Sequence, residues 1–428
     1  MRDQHIKPGY LFSTRYTNYI FILLFLLYMF DYIDRMIVTS MFVFMERDWG
    51  ITTAQQGMLV SAVYWSIVIL TFPVSIIIDR WSRRKTIGIM AIVWSLATGL
   101  CALTGNFTQL LMARILIGVG EAGYAPGGTA MIAGLYPHEK RSQMIGIWNA
   151  SIPLGTAIGV ALGGVIASSL GWRHAFGLVA LPGLIVAVLF YMIKDYKTVG
   201  IDLPKSTREE ARSNRKAIIN EFIQKPSFLF TTFGMAPVMF VITGMMTWLP
   251  KYLLEMGGLN EKQAGFRASL VFLLAIVGAP LGGILTDRWR KYRFRARLLF
   301  PTVTTTLSAV ILFTALYFGK GVSQYLILLV FGLTVAAFAS AAVAVTQDVV
   351  QAGLRAVSYS IAVLVQNLLG SSVAPVVIGI LIHRIGIEKA LLTLPFVLLV
   401  GAFLFYLGSR HYEADFNKVA KIQLEGES

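Results

Sequence analysis

The sequence predicts an all-α membrane protein with twelve transmembrane helices in two six-helix halves. Three observations predict it. First, 56% of the 428 residues are hydrophobic, only 14% are charged, and the mean hydropathy is +0.68. A soluble domain carries about 25% charge, and a surface this poor in charge does not keep a chain of this size in water. Second, the apolar residues fall into twelve runs, each near the roughly 20 residues that cross a bilayer. Third, one polar stretch, 194–226, divides the runs six and six. An ordinary soluble enzyme, a disordered chain and a fibrous chain are thereby excluded.

The runs follow in order. Segment one, 18–45, carries Asp31, Asp34 and Arg35 within an otherwise apolar stretch. Segment two, 54–78, is followed by Asp79-Arg80 and a basic loop. Segment three, 86–106, holds Cys101, and a single cysteine allows no internal disulfide. Segment four, 108–133, carries Arg114 and Glu121. Segments five, 143–169, and six, 174–193, are apolar and rich in small residues. In the linker, 206–223 places Ile218, Ile219, Phe222 and Ile223 at helical spacing, which predicts an amphipathic surface helix. Segments seven to twelve follow at 227–250, 264–286, 298–318, 323–347, 357–382 and 390–408. The expected organisation is therefore an N-terminal half (1–193), a cytoplasmic linker (194–226), a C-terminal half (227–408) and a polar tail (409–428).

The net charge of +15 suggests nucleic acid, but the placement of the charges points elsewhere. With the N-terminus inside, 27 of the 37 Lys and Arg lie on the cytoplasmic loops and tails, and 8 lie on the opposite side. That bias predicts both termini in the cytoplasm and explains the charge without a nucleic-acid partner. Short loops suggest a bacterial inner membrane.

The halves repeat. Gly283-Ile-Leu-Thr-Asp287-Arg288 after segment eight matches Ser75-Ile-Ile-Ile-Asp79-Arg80 after segment two. Segments five and eleven align at one offset, pairing Gly155 with Gly370, Val160 with Pro375, Gly164 with Gly379 and Gly171 with Gly386. Parallel repeats of this kind are a transporter architecture.

At these residues the chain resembles the major facilitator superfamily. Asp79-Arg-Trp-Ser-Arg-Arg-Lys85 is similar to its loop signature, with Ser75 and Ser82 where glycine is usual. Within the superfamily it resembles the Spinster-like branch, which includes lysolipid and sphingolipid transporters. The resemblance is carried by Asp31-Tyr-Ile-Asp34-Arg35, Gly118-Val-Gly-Glu121-Ala-Gly-Tyr124-Ala-Pro126, Ile152-Pro-Leu-Gly155, Trp248-Leu-Pro-Lys-Tyr252 and Asn367-Leu-Leu-Gly370 with Pro375. The anion:cation symporter branch, whose substrates are sugar acids and other organic anions, shares a similar Tyr-Ile-Asp-Arg and a Glu in helix four. Segment five also resembles the antiporter motif, from Gly146 through Gly155, Gly159 and Gly163-Gly164, with Val160 in place of its proline. The same glycines also suit close helix packing.

A charge at the bilayer centre is costly and needs a partner or a task. Five are expected there: Asp31, Asp34, Arg35, Arg114 and Glu121. The fold that the resemblance implies puts segments one and four on the cavity wall. Glu121 is the leading proton carrier, with Asp34 and Asp31 behind it, because no histidine lies inside a segment. Arg114 either binds a substrate carboxylate or phosphate or serves as a structural partner. Arg35, Tyr124, Asn149, Trp248, Gln366 and Asn367 are further candidate substrate contacts. Asp79, Arg80, Arg84, Asp287 and Arg288 are candidate gate residues, which pair in one conformation and part in another.

Segment ten, from Tyr325 to Val345, has almost no polar side chain apart from Thr334, Ser340 and small residues. A charged wall facing an apolar one suits an amphiphile, such as a lysophospholipid, better than a small dianion. No phosphate-binding glycine loop, zinc-type His cluster or nucleophile elbow is present, so an enzyme is not expected and no cofactor or metal is implied. The expectation is a secondary active transporter working by alternating access, proton-coupled, acting as a monomer. Its alternatives are a symporter of organic anions and a drug-type proton antiporter.

Overall fold

The computed structural model describes residues 10–80, 82–195, 221–351 and 354–419. Within them, the side chains of residues 72, 75–80, 138, 139, 142 and 356 are not described. Helices fill nearly all of the described chain, and no strand occurs among the described residues. Among the described residues, nine of the twelve predicted segments form helices long and apolar enough to cross a bilayer. The remaining three, segments one, three and four, are helical as well. The predicted surface helix 206–223 lies outside the described residues except for its last turn.

The first half runs α1 (Thr14–Ile37), α2 (Phe42–Trp49), α3 (Thr53–Arg80), α4 (Arg83–Cys101), α5 (Phe107–Glu121), α6 (Tyr124–Leu135), α7 (His138–Asn149), α8 (Ser151–Leu170) and α9 (Trp172–Tyr191). The second half runs α10 (Pro226–Gly257), α11 (Glu261–Leu273), α12 (Ala275–Arg290), α13 (Ala296–Tyr317), α14 (Gly321–Val335) and α15 (Ala339–Asp348). It continues with α16 (Arg355–Gln366), a π-turn (Asn367–Ser371), α17 (Ala374–Ile385), α18 (Ile387–Leu391) and α19 (Leu394–Asn417).

Several predicted segments are thus split by a local break, and the breaks have visible causes. Segment one tightens to a 3₁₀ turn at Val38–Met41 before α2. Segment four breaks between Glu121 and Tyr124. Pro126 has no N–H, so the carbonyl of Ala122 goes without its helical partner. Segment five breaks at Ala150, where Pro153 does the same to Asn149.

The chain clusters into two compact units. The first comprises residues 1–197, 244–273 and 374–388. Its core packs α1 against α8, α4 against α5 and α9, α3 against α5 and α17, and α8 against α11. Glycines make these approaches possible. A Cβ on Gly118 would stand 2.6 Å from the Val63 carbonyl oxygen of α3, and one on Gly120 would stand 2.7 Å from the Trp94 backbone of α4. Glu121 is therefore carried on a helix wedged between two others. The second unit comprises 198–243, 274–373 and 389–428. In it α13 packs on α19 and α14, and Asp415 caps the start of α10 by accepting from the Ser227 N–H (2.9 Å) and hydroxyl (2.7 Å).

The internal repeat read from segments five and eleven is visible in backbone geometry. Gly171 and Gly386 end their helical runs with φ of +92° and +83°, a region that favours glycine. A Cβ on Gly155 would meet the Met29 carbonyl oxygen of segment one at 2.3 Å. One on Gly370 would meet the Ala236 carbonyl oxygen of segment seven at 2.6 Å. Gly164 and Gly379 likewise face the Glu261 and Thr53 carbonyl oxygens at 2.7 and 2.5 Å. Repeat-related glycines thus meet repeat-related partners.

Candidate functional site

The five charges expected inside the membrane are all buried in the first unit, each 6% exposed or less. Arg35 stands at the centre. Its Nη2 donates to Asp31 Oδ2 and to Glu121 Oε2, both at 2.8 Å. Asp31 and Arg35 are one turn apart on α1 and share a face. Glu121 arrives from the last residue of α5, just before the break. The rings of Tyr32 and Tyr64 lie 4.5 and 5.1 Å from the guanidinium and cover it. Asp31 Oδ1, Glu121 Oε1 and Arg35 Nε have no protein partner among the described residues.

Asp34 goes elsewhere. It accepts from the Thr98 hydroxyl at 3.0 Å and is not paired with its neighbour Arg35. The structure thus brings Asp31, Arg35 and Glu121 together and sets Asp34 beside them against α4.

Arg114 is fully buried, and all three of its donor nitrogens hold main-chain oxygens. Nε donates to Leu59 O (2.9 Å), Nη1 to Asp34 O (2.8 Å) and Nη2 to Arg35 O (2.9 Å). Segment one leaves α-helical geometry just past these residues, and the guanidinium caps the carbonyls there. Arg114 therefore braces segments one and two in this structure.

The other predicted contacts are scattered. Tyr124 is buried, and its hydroxyl donates to Leu24 O at 2.5 Å. Trp148 Nε1 donates to the same oxygen at 3.2 Å and stacks on Tyr28. Asn149 is exposed at the segment-five break. Trp248 is fully buried, donates to Pro375 O at 3.2 Å and lies 5.3 Å from the Phe42 ring. Gln366 and Asn367 stand at the π-turn of segment eleven, and Gln366 Oε1 has no partner among the described residues. π-turns inside helices recur at functional sites.

Of the gate candidates, the side chains of Asp79 and Arg80 lie outside the described ones. Arg84 donates to Ile193 O at 2.6 Å and lies 3.8 Å from Asp195, so it ties segment three to the end of segment six. Asp287 is mostly exposed, 3.9 Å from Arg297, and Arg288 is exposed. Arg297 is held instead by Asp348, which also accepts from the Tyr412 hydroxyl at 2.7 Å.

Sequence reasoning missed Tyr32, Tyr64, Thr98 and Asp348. Tyr32 lies inside the charged run of segment one and was legible from it. The other three have no local signal, since their roles come from neighbours far along the chain. No cluster of His, Cys, Asp and Glu suited to a metal occurs among the described residues.

Comparison with known proteins adds the family. The major facilitator superfamily model matches residues 24–375. The chain is 28% identical over 298 residues to the hexuronate transporter of Bacillus subtilis, covering 68% of this chain and 71% of that protein. It is 26% identical over 437 residues to protein spinster homolog 1 of Xenopus tropicalis, covering 96% and 82%. Its fold matches a bacterial homologue of the human lysosomal transporter Spinster, solved in an inward-facing, unoccupied conformation. The TM-score is 0.83 at 22% identity, over 94% of this chain and 99% of that one. The Spinster-like resemblance read from five short runs thus extends over nearly the whole chain, and sugar-acid transporters stand beside it. A family of twelve-helix transporters explains the segment count, the repeat and the buried charges together: the chain belongs to the major facilitator superfamily.

Proposed function

We propose that this protein is a proton-coupled secondary transporter working by alternating access, with Asp31, Arg35 and Glu121 as its proton site. One observation carries the reading. A single guanidinium nitrogen holds two buried carboxyls, each at 2.8 Å. With both ionised, the trio has one excess negative charge. One proton makes it neutral, and placed on Glu121 it weakens the pair with Arg35 that bridges segments one and four. An unbalanced charge is costly to enclose in the membrane, and a neutral cluster is less so. Proton uptake thus favours the occluded passage, and hydration after opening favours release. Asp34, whose Oδ1 has no partner among the described residues, is a second proton acceptor. Arg114 positions segment one.

The proposed cargo is an amphiphile with an anionic head, such as a lysophospholipid. In the second unit, α14 and α15 carry no charged side chain before Asp348. The Ser308 hydroxyl already donates to Thr334 at 3.0 Å. Such a wall suits an acyl chain. Gln366 and Asn367, in the same unit, are its proposed polar contacts. The second reading is a symporter of sugar acids, which the similarity to the hexuronate transporter favours. The protein is proposed to sit as a monomer in an inner membrane with both termini cytoplasmic.

The test is uptake into proteoliposomes of a labelled lysophospholipid beside a labelled hexuronate, with and without an inward proton gradient. Gradient-driven uptake is expected in the wild type, and Glu121→Gln is expected to lose its dependence on the gradient. A gradient dependence that survives in Glu121→Gln would overturn the proton site. Hexuronate uptake with no lysolipid movement would overturn the amphiphile.

A further inference from the structure

Another buried charge is held just past the C-terminal end of segment one. The Lys251 side chain, on α10, is only 3% exposed. A buried ammonium needs a partner, and three side chains surround it. Its Nζ donates to Glu46 Oε2 of α2 at 2.5 Å and to Gln56 Oε1 of α3 at 3.2 Å. Glu255, one turn along α10, is 3.7 Å away. The ring closes through Gln56, which is fully buried and whose Nε2 donates back to Glu46 Oε2 at 3.0 Å. One amide therefore serves both charges, and three elements are tied at one point.

The surroundings form a seal. Phe42 and Trp248, both fully buried, pack together. The Thr53 hydroxyl donates to Gly379 O at 2.7 Å, and Gly57 faces the Pro375 carbonyl so closely that a Cβ would stand 2.2 Å from its oxygen. All of these residues belong to the first unit. The positive-inside pattern puts them on the side opposite the basic loops. The partners are unequal: Lys251 is buried while the Glu46 side chain is 48% exposed. Water therefore reaches the latch through the carboxylate, and parting it leaves an ammonium that has to be hydrated.

We infer that Lys251, Glu46 and Gln56 form an ionic latch that holds the outer gate shut, and that it must break for the passage to open on that side. Trp248 is then the plug beneath the latch. The inference does not rest on the proton-site reading.

The test uses a reporter below the latch. Thr39 is 1% exposed and lines the same crevice as Lys251. Cys101, fully buried, is replaced by alanine, and Thr39→Cys becomes the single thiol for a maleimide on purified protein in nanodiscs. Slow labelling is expected with the latch intact. Glu46→Gln, isosteric at a half-exposed position, is expected to label about tenfold faster. The exchanged pair Glu46→Lys with Lys251→Glu is expected to return towards the slow rate. On the unmutated latch, raising salt from about 0.05 to about 1 M is expected to speed labelling by screening the pair. Labelling at the same rate in Glu46→Gln, or with no response to salt where that variant does not fold, would overturn the latch. The readout needs neither substrate nor proton gradient, so its failure is separate from failure of the proposed proton site.

Discussion

At the scale of the residue, three of this protein's buried cations are used in three different ways. Arg114 is spent on main-chain oxygens, Arg35 on two carboxyls, and Lys251 on a carboxylate half in water. The last is open to a direct pH test, because Glu46 lies just beyond the first apolar run. Partial burial works against its ionised form, but the hydrogen bonds from Lys251 and Gln56 prevail and hold the carboxyl below its ordinary value of 4.5. A group whose pKa is lower in the folded state contributes stability that is complete above the unfolded value. That stability is lost as the pH falls through the folded one. The wild type is therefore expected to melt above Glu46→Gln at neutral pH. Because Glu46 is half exposed, the gap is about 1 kcal/mol or less. It is expected to close as the pH falls below the ordinary glutamate value of 4.5 and on through the lower folded-state value, as measured by thermal unfolding in detergent across a pH series. A gap that persists in acid would show that the effect is not the carboxylate's.

At the scale of the element, the glycines of segment five divide into two kinds. Gly155, Gly159 and Gly163 press on the backbone of segment one, where added Cβ atoms would stand 2.3, 2.7 and 2.6 Å from carbonyl oxygens. A Cβ on Gly146 would have nothing within 4 Å among the described residues. Packing therefore accounts for the motif from Gly155 onward. Gly159→Val is expected to cost about 1–3 kcal/mol through overpacking. Gly146→Ala is expected to be neutral or stabilising by up to about 1 kcal/mol, since glycine is a poor helix former. Melting midpoints of the two variants check this, and equal losses would refute the division. The same scale explains why segment four is not one helix. Pro126 follows Glu121 so closely that the break positions the carboxyl at a helix end.

At the scale of the whole molecule, the basic residues predict orientation. A C-terminal green fluorescent protein fusion is expected to fluoresce. A C-terminal alkaline phosphatase fusion, which needs an oxidising compartment, is expected to be inactive. The reverse pattern would place the C-terminus outside and invert the side assigned to the latch.

Composition and periodicity by themselves determined a great deal: a membrane protein, the positions of its helical segments, the repeat between halves, and the five charges inside its apolar segments. The reason is that a bilayer imposes local rules. Each span must be about 20 apolar residues, and each charge within it must be accounted for. Those rules act along the chain and leave their trace in any window of it. Partner choice was decided only by the tertiary structure. Arg35 is adjacent to Asp34 in sequence, yet it bonds Asp31 one turn away and Glu121 from another helix. Arg114 turned to main-chain oxygens, and Lys251, unremarkable in a loop, became a buried hub 205 residues from Glu46. Such pairings depend on helix rotation and on where a helix breaks. Both are settled by glycine contacts and packing between segments far apart in sequence.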